Sequence, residues 1–557
     1  MRIGSSSSGI APGFALIAMM IGTAACSAGG STTVISDGTT PTPAGTTPGD
    51  GTTKDPAATN PAAMGDPTNP ATPTGPLVNG VSITDVAFFQ GVKVAVVTAG
   101  KVVTKSGRNA PVVVGRPAAV RVYVKSDSSY KGSSVTAQLQ LVDGTKRLPI
   151  LSDTKTVSGT STDDNPQSTF NFEVPADSLP AGVTYQVLLT AKDGTVPTGD
   201  SAARFPTAGG VQALDAEVSG KLKVVIVPVK YMYDSSGRVP DTSAAQLALY
   251  KQAFMVRYPA TDVEVTARAA WSYSQRIAGS GTGFDTVLNA VTQLRQSDGV
   301  ANDVYYYGAL APAQSFNSFC GGGCVTGLST VDDSAKTAYL RASVGIGFTG
   351  NESAETATHE VGHAHGRNHA PCGGAQGVDP QFPYSNGSIG VWGYDIIAKT
   401  FLSPSVGTDM MGYCDNTWVS DYTYSALFDR IAAVNGNPPG GATGGGTAGG
   451  GMMPAAQTYR TASVGADGTA TWTGSMDLAE EPTSGQSRTV TFYSDTGSAI
   501  GTHTAHFYPY DHLPGGMLVV PTSPSPVSPV SAIAAKSRVA PTWSSVRIAG
   551  VNNVISH

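Results

Sequence analysis

"HEVGHAHGRNH", residues 359–369, places four of the chain's eight histidines in eleven positions. A metal site, a pH-sensitive cluster and chance are the candidate explanations, and each makes different demands on the neighbouring residues. His359 and His363 are four apart, so on a helix they lie one turn apart on one face and can converge on one ion. "NESAETATHEVGHAH" (351–365) is predicted to be that helix: it has no proline, and no glycine before Gly362. Glu352 and Glu355 stand early in it, where carboxylates complement the helix dipole. Gly366 lets the chain turn with positive φ, and the turn can bring His369 back as a third ligand. A catalytic zinc takes three protein ligands and keeps one position open for water. Glu360, directly after the first histidine, is placed to face that water as a general base.

The stretch reads H-E-x-x-H-x-x-G-x-x-H with every fixed position present. Here the chain resembles the metzincin clan of zinc peptidases, whose extended signature this is. The resemblance implies a single catalytic Zn2+ on His359, His363 and His369, with Glu360 as base. It also implies a methionine turn beneath the metal, and "DMMGYC" (409–414) fits it with Met411 as the turn residue. Taken alone, Met410 and Met411 would read as core packing. Tyr413 stands where a tyrosine approaches the zinc in the astacin-like and serralysin-like branches, which implies a hydroxyl near the developing oxyanion. "VGIGF" (Val344, Gly345, Ile346, Gly347, Phe348) occupies the place of the clan's substrate-binding edge strand, which holds an extended peptide by main-chain pairing. Without the resemblance it is simply a glycine-rich strand. "WVSDYTY" (418–424) then continues into the clan's C-terminal helix. The resemblance spans roughly 220–435, under half the chain.

The other histidines have plainer readings. His365 points to a different helix face from His363 and is expected to support the site or be solvated. His503, His506 and His512 lie in a strand-like segment whose odd and even positions face opposite sides; a second metal there is the lesser reading.

Outside the motif, 218–435 follows a β-α-β-α-β order. "LKVVIVPV" (222–229) is a continuous apolar run, as in a strand covered on both faces. "TSAAQLALYKQAFMVRY" (242–258) sets Leu247, Tyr250, Phe254 and Tyr258 at helical spacing after a capping Asp241 or Thr242. The strand-like "DVEVTARA", helical "FDTVLNAVTQLRQ" and strand-like "DVYYYGAL" follow. This order predicts an α/β peptidase domain over 215–435. Residues 81–212 alternate with period two, as in "AVRVYVK" (119–125) and "SVTAQLQLVDG" (134–144), and predict an antiparallel β-sandwich. "PPGGATGGGTAGGG" lies within a flexible linker over 436–455, and 456–557 alternates again as a small C-terminal β domain. The expected fold class is multidomain: an α/β metzincin-like catalytic domain flanked by these two β modules.

Arg2, the apolar run "GFALIAMMIG" (13–22) and "TAAC" ending at Cys26 describe an export signal over 1–26. The small residues before Cys26 resemble the lipobox of bacterial lipoproteins, with Thr23 where that family usually has Leu. The alternative is ordinary cleavage beside an incidental cysteine. Residues 27–80, typified by "TPTPAGTTPGDGTTKDPAAT", bury too little apolar surface to offset chain entropy and are read as a disordered tether. There are five cysteines. With Cys26 lipidated, four remain for two disulfides in an oxidising compartment. Three pairings are possible; the favoured one joins Cys320 to Cys324 and Cys372 to Cys414. The formal net charge of -6 carries no basic footprint for nucleic acid.

The expected function is a zinc endopeptidase anchored by lipid to a bacterial membrane, monomeric, at the cell surface or outer membrane. Its expected substrates are extracellular proteins or glycoproteins; exported bacterial relatives include mucin-cleaving zincins. The rival from another class is a surface adhesin with a catalytically silent zincin scaffold, but a scaffold needs the three histidines and not Glu360. A pH-switching cluster explains neither Glu360 nor the methionine turn.

Overall fold

The computed structural model describes residues 75–321, 323–438, 457–524 and 543–557. The expected signal, Cys26 and the tether to residue 74 lie outside the described residues, as does nearly all of the glycine-rich linker. The described chain is multidomain and mostly β, with few helices.

Alternation builds the first module. Along Ser134–Asp143, Val135, Ala137 and Leu139 are buried and alternate with partly exposed Thr136 and Gln138, after which Gln140, Leu141 and Val142 are all buried. That strand joins Thr184–Thr190 in one antiparallel sheet. The facing sheet runs Lys101–Val102, Lys93–Thr98, Val81–Phe89, Ala118–Ser126, Phe170–Val174. Ala118–Ser126 departs from simple alternation, because Arg121 and Tyr123 are buried as well. The reason is a second covering layer: the Arg121 guanidinium sits 5.0 Å from the Phe401 ring and donates to the carbonyls of Thr162 and Asp163.

The two modules are therefore packed together. Lys93 N donates to Trp392 O, and Trp418 Nε1 donates to Gly91 O. Arg116 is wholly buried between them, donating to Gln90 O, Ala260 O and Met255 O. No carboxylate is among these acceptors.

The central sheet of the next region runs in the order Asp262–Ala267, Lys221–Tyr231, Val304–Leu310, Ala342–Ile346, Gly327–Ser329. The first four are parallel and the last is antiparallel. Leu222, Val224 and Ile226 face one layer while Val227 and Val229 face the other, as a strand covered on both sides requires. On one face lie the helices Ala244–Arg257, Asn351–Ala364 and Asp421–Val434; Phe284–Ser297 covers the other. The cap of Ala244–Arg257 is Ser243, whose Oγ accepts from Gln246 N, with Asp241 bracing Ser243 N from outside. Tyr250 and Phe254 bury against Ala354, Ala357 and Val361 of the motif helix, whose small side chains permit close approach. Burying a side chain such as Phe254 is worth about 1.5–3 kcal/mol.

One strand expectation is overturned. Val344–Ile346 belong to Ala342–Ile346, which is hydrogen-bonded on both sides, and Gly347 and Phe348 lie beyond its end. The sheet's edge is Gly327–Ser329, a strand the sequence reading did not single out. The C-terminal module is an antiparallel sheet from Gln457–Val464 to Val554–Ser556. It packs on Phe284–Ser297 through Gln293–Thr461, Asp285–Ser463 and Asn289–Tyr510 hydrogen bonds. No described helix is long and apolar enough to cross a membrane.

Candidate metal centre

The motif helix Asn351–Ala364 starts without a side-chain cap of its own. Buried Gln246 takes that role from the neighbouring helix, accepting from Gly350 N at 2.8 Å and donating to Gly350 O at 3.1 Å. The helix stops at Gly366, whose φ of 83° reverses the chain. A Cβ there would also lie 2.6 Å from Asp333 Cα, so glycine is required twice over.

The turn returns His369 to the helix face, and the three imidazoles converge. His359 Nε2 and His363 Nε2 are 3.0 Å apart. Each ring is oriented from behind by a backbone carbonyl that accepts from Nδ1: Met410 O for His359 and Arg367 O for His363, both at 2.6 Å, and Gln376 O for His369. A carbonyl can only accept, so each Nδ1 carries the proton and each Nε2 carries the lone pair. Burial first, then the neighbouring imidazoles, pushes the pKa values of His359, His363 and His369 down, which keeps the rings neutral. Neutral nitrogens at this spacing suit zinc.

Met411 lies beneath the helix, 1% exposed. Its Sδ comes within 2.6 Å of where a Cβ on Gly362 would stand, so the glycine between the two helical histidines makes room for it. Asp409, wholly buried, holds this turn by accepting from Met411 N and Ser420 N. The Cys372–Cys414 disulfide ties the third-histidine loop to the same turn, and Cys320–Cys324 closes the short glycine loop. Tyr413 Oη reaches 3.0 Å from His369 Nε2 and bonds His512 Nδ1.

Glu360 is fully buried, and burial followed by the charge of Asp511 raises its pKa well above the usual carboxylate range. Its Oε1 lies 3.1 Å from His512 Nε2, while Oε2 is buried without a hydrogen-bond partner. Gly327 of the edge strand leaves the space that this carboxylate fills. Asp511 Oδ2 is likewise without a hydrogen bond, 3.2 Å from His363 Nε2. Two buried carboxylates beside three neutral imidazoles form a site electrostatically suited to a dication. Ligand atoms of His359, His363, His369 and His512 all lie within 4.8 Å of one another.

His512 was grouped with His503 and His506 at the sequence level, yet only His512 reaches this centre. His506 Nδ1 is bonded to Ser484 O, and His503 lies elsewhere on the strand. His365 is neither a ligand nor solvated: it is buried, stacked on Tyr305 with ring centroids 4.3 Å apart. Sequence reasoning missed Gly327, Asp511 and the role of His512. A cleft of about 440 Å³ opens on the site, lined by Val325, Thr326, Gly374, Gln376, Tyr413 and His512 among others.

No curated protein matches the chain. Among solved structures, "Structure of a chaperone-substrate complex" is 12% identical, with a TM-score of 0.21, over 48% of this chain and 39% of its own. A putative beta-galactosidase from Bacteroides fragilis is 16% identical, with a TM-score of 0.13, over 41% and 33%. The chain thus spans about two fifths or less of these relatives, and neither likeness bears on its fold or activity. Residues 250–421, which hold the three motif histidines, Glu360, Met411 and Tyr413, match the Peptidase M66 family model, and this supports a metallopeptidase role for that part of the chain.

Proposed function

We propose that this chain is a zinc-dependent endopeptidase of metzincin type, exported and held to a bacterial membrane by lipid on Cys26, acting as a monomer on extracellular proteins or glycoproteins. The observation that carries the reading is the set of three imidazoles whose Nδ1 atoms are tied to carbonyls and whose Nε2 atoms converge beside Glu360. His359, His363 and His369 would hold the zinc, which when bound would supply Lewis-acid polarisation of a scissile carbonyl and a more acidic water. Glu360 accepts the water's proton through Oε2, the oxygen with no hydrogen bond, and passes it to the leaving amine. Tyr413 Oη, at the mouth of the cleft, donates to the developing oxyanion. The edge strand Gly327–Ser329 borders the site, and its Gly327 end offers main chain to an extended substrate, Ser329 being bonded to Asp511.

The test is zinc content alongside cleavage of a peptide library, with and without chelator, in the wild type and in Glu360→Gln. Retained zinc with hydrolysis abolished in the variant supports the reading, since the amide cannot take the proton. Stoichiometric zinc with no hydrolysis of any peptide by the wild type would instead favour a silent scaffold.

A further inference from the structure

The peptidase region does not hold the site alone. The tip of the hairpin between Ala499–Pro509 and Gly516–Pro521, which belongs to the C-terminal module, enters it. We propose that Asp511 and His512 at this tip complete the metal centre, so that a single ion is held from two modules. The inference rests on the zinc peptidase reading and extends it to residues beyond the motif.

Three observations support it. The first is placement: His512 is one of four histidines whose ligand atoms lie within 4.8 Å of one another, and Asp511 joins Glu360, His363 and His512 in a second such group. The second is a buried carboxylate aimed at the histidines. The Asp511 side chain is 1% exposed, and its Oδ2 makes no hydrogen bond but lies 3.2 Å from both His363 Nε2 and His512 Nε2, between two potential ligand nitrogens. Buried carboxylates are paired or bind metal. Here the carboxylates of Glu360 and Asp511 together would balance a dication held by the imidazoles. The third is anchoring. Tyr510 is buried and bonded through its hydroxyl to Asn289 and Ser463, and Leu513 packs against the apolar layer around Phe284–Ser297. Between these anchors the main chain pairs with the sheet edge: Asp511 N donates to Ser329 O, and Val331 N donates to Pro509 O. Asp511 Oδ1 accepts from Ser329 N, which aims Oδ2 at the histidines. Groups locked in this way from both sides are preorganised.

The segment also takes main-chain positions of Ser329 that an extended substrate would otherwise use, so the C-terminal module sets one end of the substrate channel. His512, 11% exposed and bordering the cleft, is the member of the pair that faces incoming substrate.

The test uses the full-length chain. Zinc affinity is measured by competition with a chromogenic chelator, and the imidazole count by X-ray absorption. The wild type is expected to show four imidazoles, and His512→Ala three, with zinc bound about tenfold more weakly or worse. Asp511→Asn keeps the Oδ1 bonds and removes only the charge, and should also weaken zinc. His503→Ala, on the same hairpin but away from the site, should change neither quantity. Equal melting temperatures of the metal-free wild type and Asp511→Asn separate ligation from folding. Three imidazoles in the wild type, with unchanged affinity in His512→Ala and Asp511→Asn, would overturn the proposal. Failure of the wild type to bind zinc at all would overturn the peptidase reading beneath it.

Discussion

Gly327→Ala isolates the position of Glu360 from everything else at the site. Gly327 is not among the residues with positive φ, so alanine is allowed there, and a shorter list of unfolded conformations favours it by about 0.4–1 kcal/mol. The new methyl, however, would fall inside the Glu360 side chain, 2.5 Å from Cγ and nearer still to Cδ and Oε1. Ordinary contact needs about 3.5 Å, so the carboxylate must retreat by about 1 Å or more. It is fully buried, with Ser343 Oγ holding its own backbone carbonyl, so the helix cannot retreat with it. A displacement of that size costs about a hundredfold in rate, or about 2.7 kcal/mol of transition-state stabilisation. The three atoms nearest the new methyl all belong to Glu360, so zinc on His359, His363 and His369 should stay bound. The assay is kcat/KM on a cleaved peptide, with zinc content and denaturant midpoint measured on the same preparation. Activity within threefold of wild type would refute the placement of Glu360 as the proton acceptor, and loss of zinc in proportion to activity would refute the separation of base from ligands.

Tyr413→Phe should lower kcat by about tenfold to a thousandfold, the cost of one oxyanion donor, with KM and zinc content little changed; full kcat would make Tyr413 a packing residue. Gly366→Ala combines a left-handed backbone, about 1–2 kcal/mol, with crowding against Asp333, about 1–3 kcal/mol. Denaturant unfolding should show a loss of about 2–5 kcal/mol, and a loss under about 1 would show that the turn can relax. His365, buried and then opposed by Arg430, has its pKa pushed down to about 3. The unfolded chain therefore takes up this proton first, and the contribution of neutral His365 is lost as pH falls from about 6.5 towards 3, at up to about 1.4 kcal/mol per pH unit. His365→Phe should flatten the stability curve over that window, and equal slopes in variant and wild type would refute the assignment.

Local signals were the legible ones. The histidine spacing, the helix through 351–364 and the glycine at 366 follow from periodicity and backbone freedom alone, and the short glycine loop made Cys320–Cys324 the natural first pair. The order of strands was not legible, because hydrophobic period says which face is buried and nothing about lateral neighbours. Ala342–Ile346 is buried at every position, and such an unbroken run was itself the mark of an inner strand. Gly327–Ser329 is too short to register as a strand among glycine-rich neighbours. Asp511 and His512 lie some 150 residues from Glu360 in sequence and follow a strand whose alternation disguised them. Only tertiary packing brings that hairpin tip to the motif helix. An Asp-His pair directly before Leu-Pro-Gly-Gly was the one available hint, and a turn carrying two potential ligands is weak evidence on its own.

Arg116 bears on the order in which the chain matures. The sandwich that contains it is complete by residue 213, but the carbonyls of Met255 and Ala260 that receive its guanidinium are synthesised later. Until the helix Ala244–Arg257 has formed, the guanidinium has only Gln90 O to satisfy it and must remain in water. Burying it earlier would cost several kcal/mol. Burial of Arg116 therefore couples the folding of that face of the sandwich to the helix beside it.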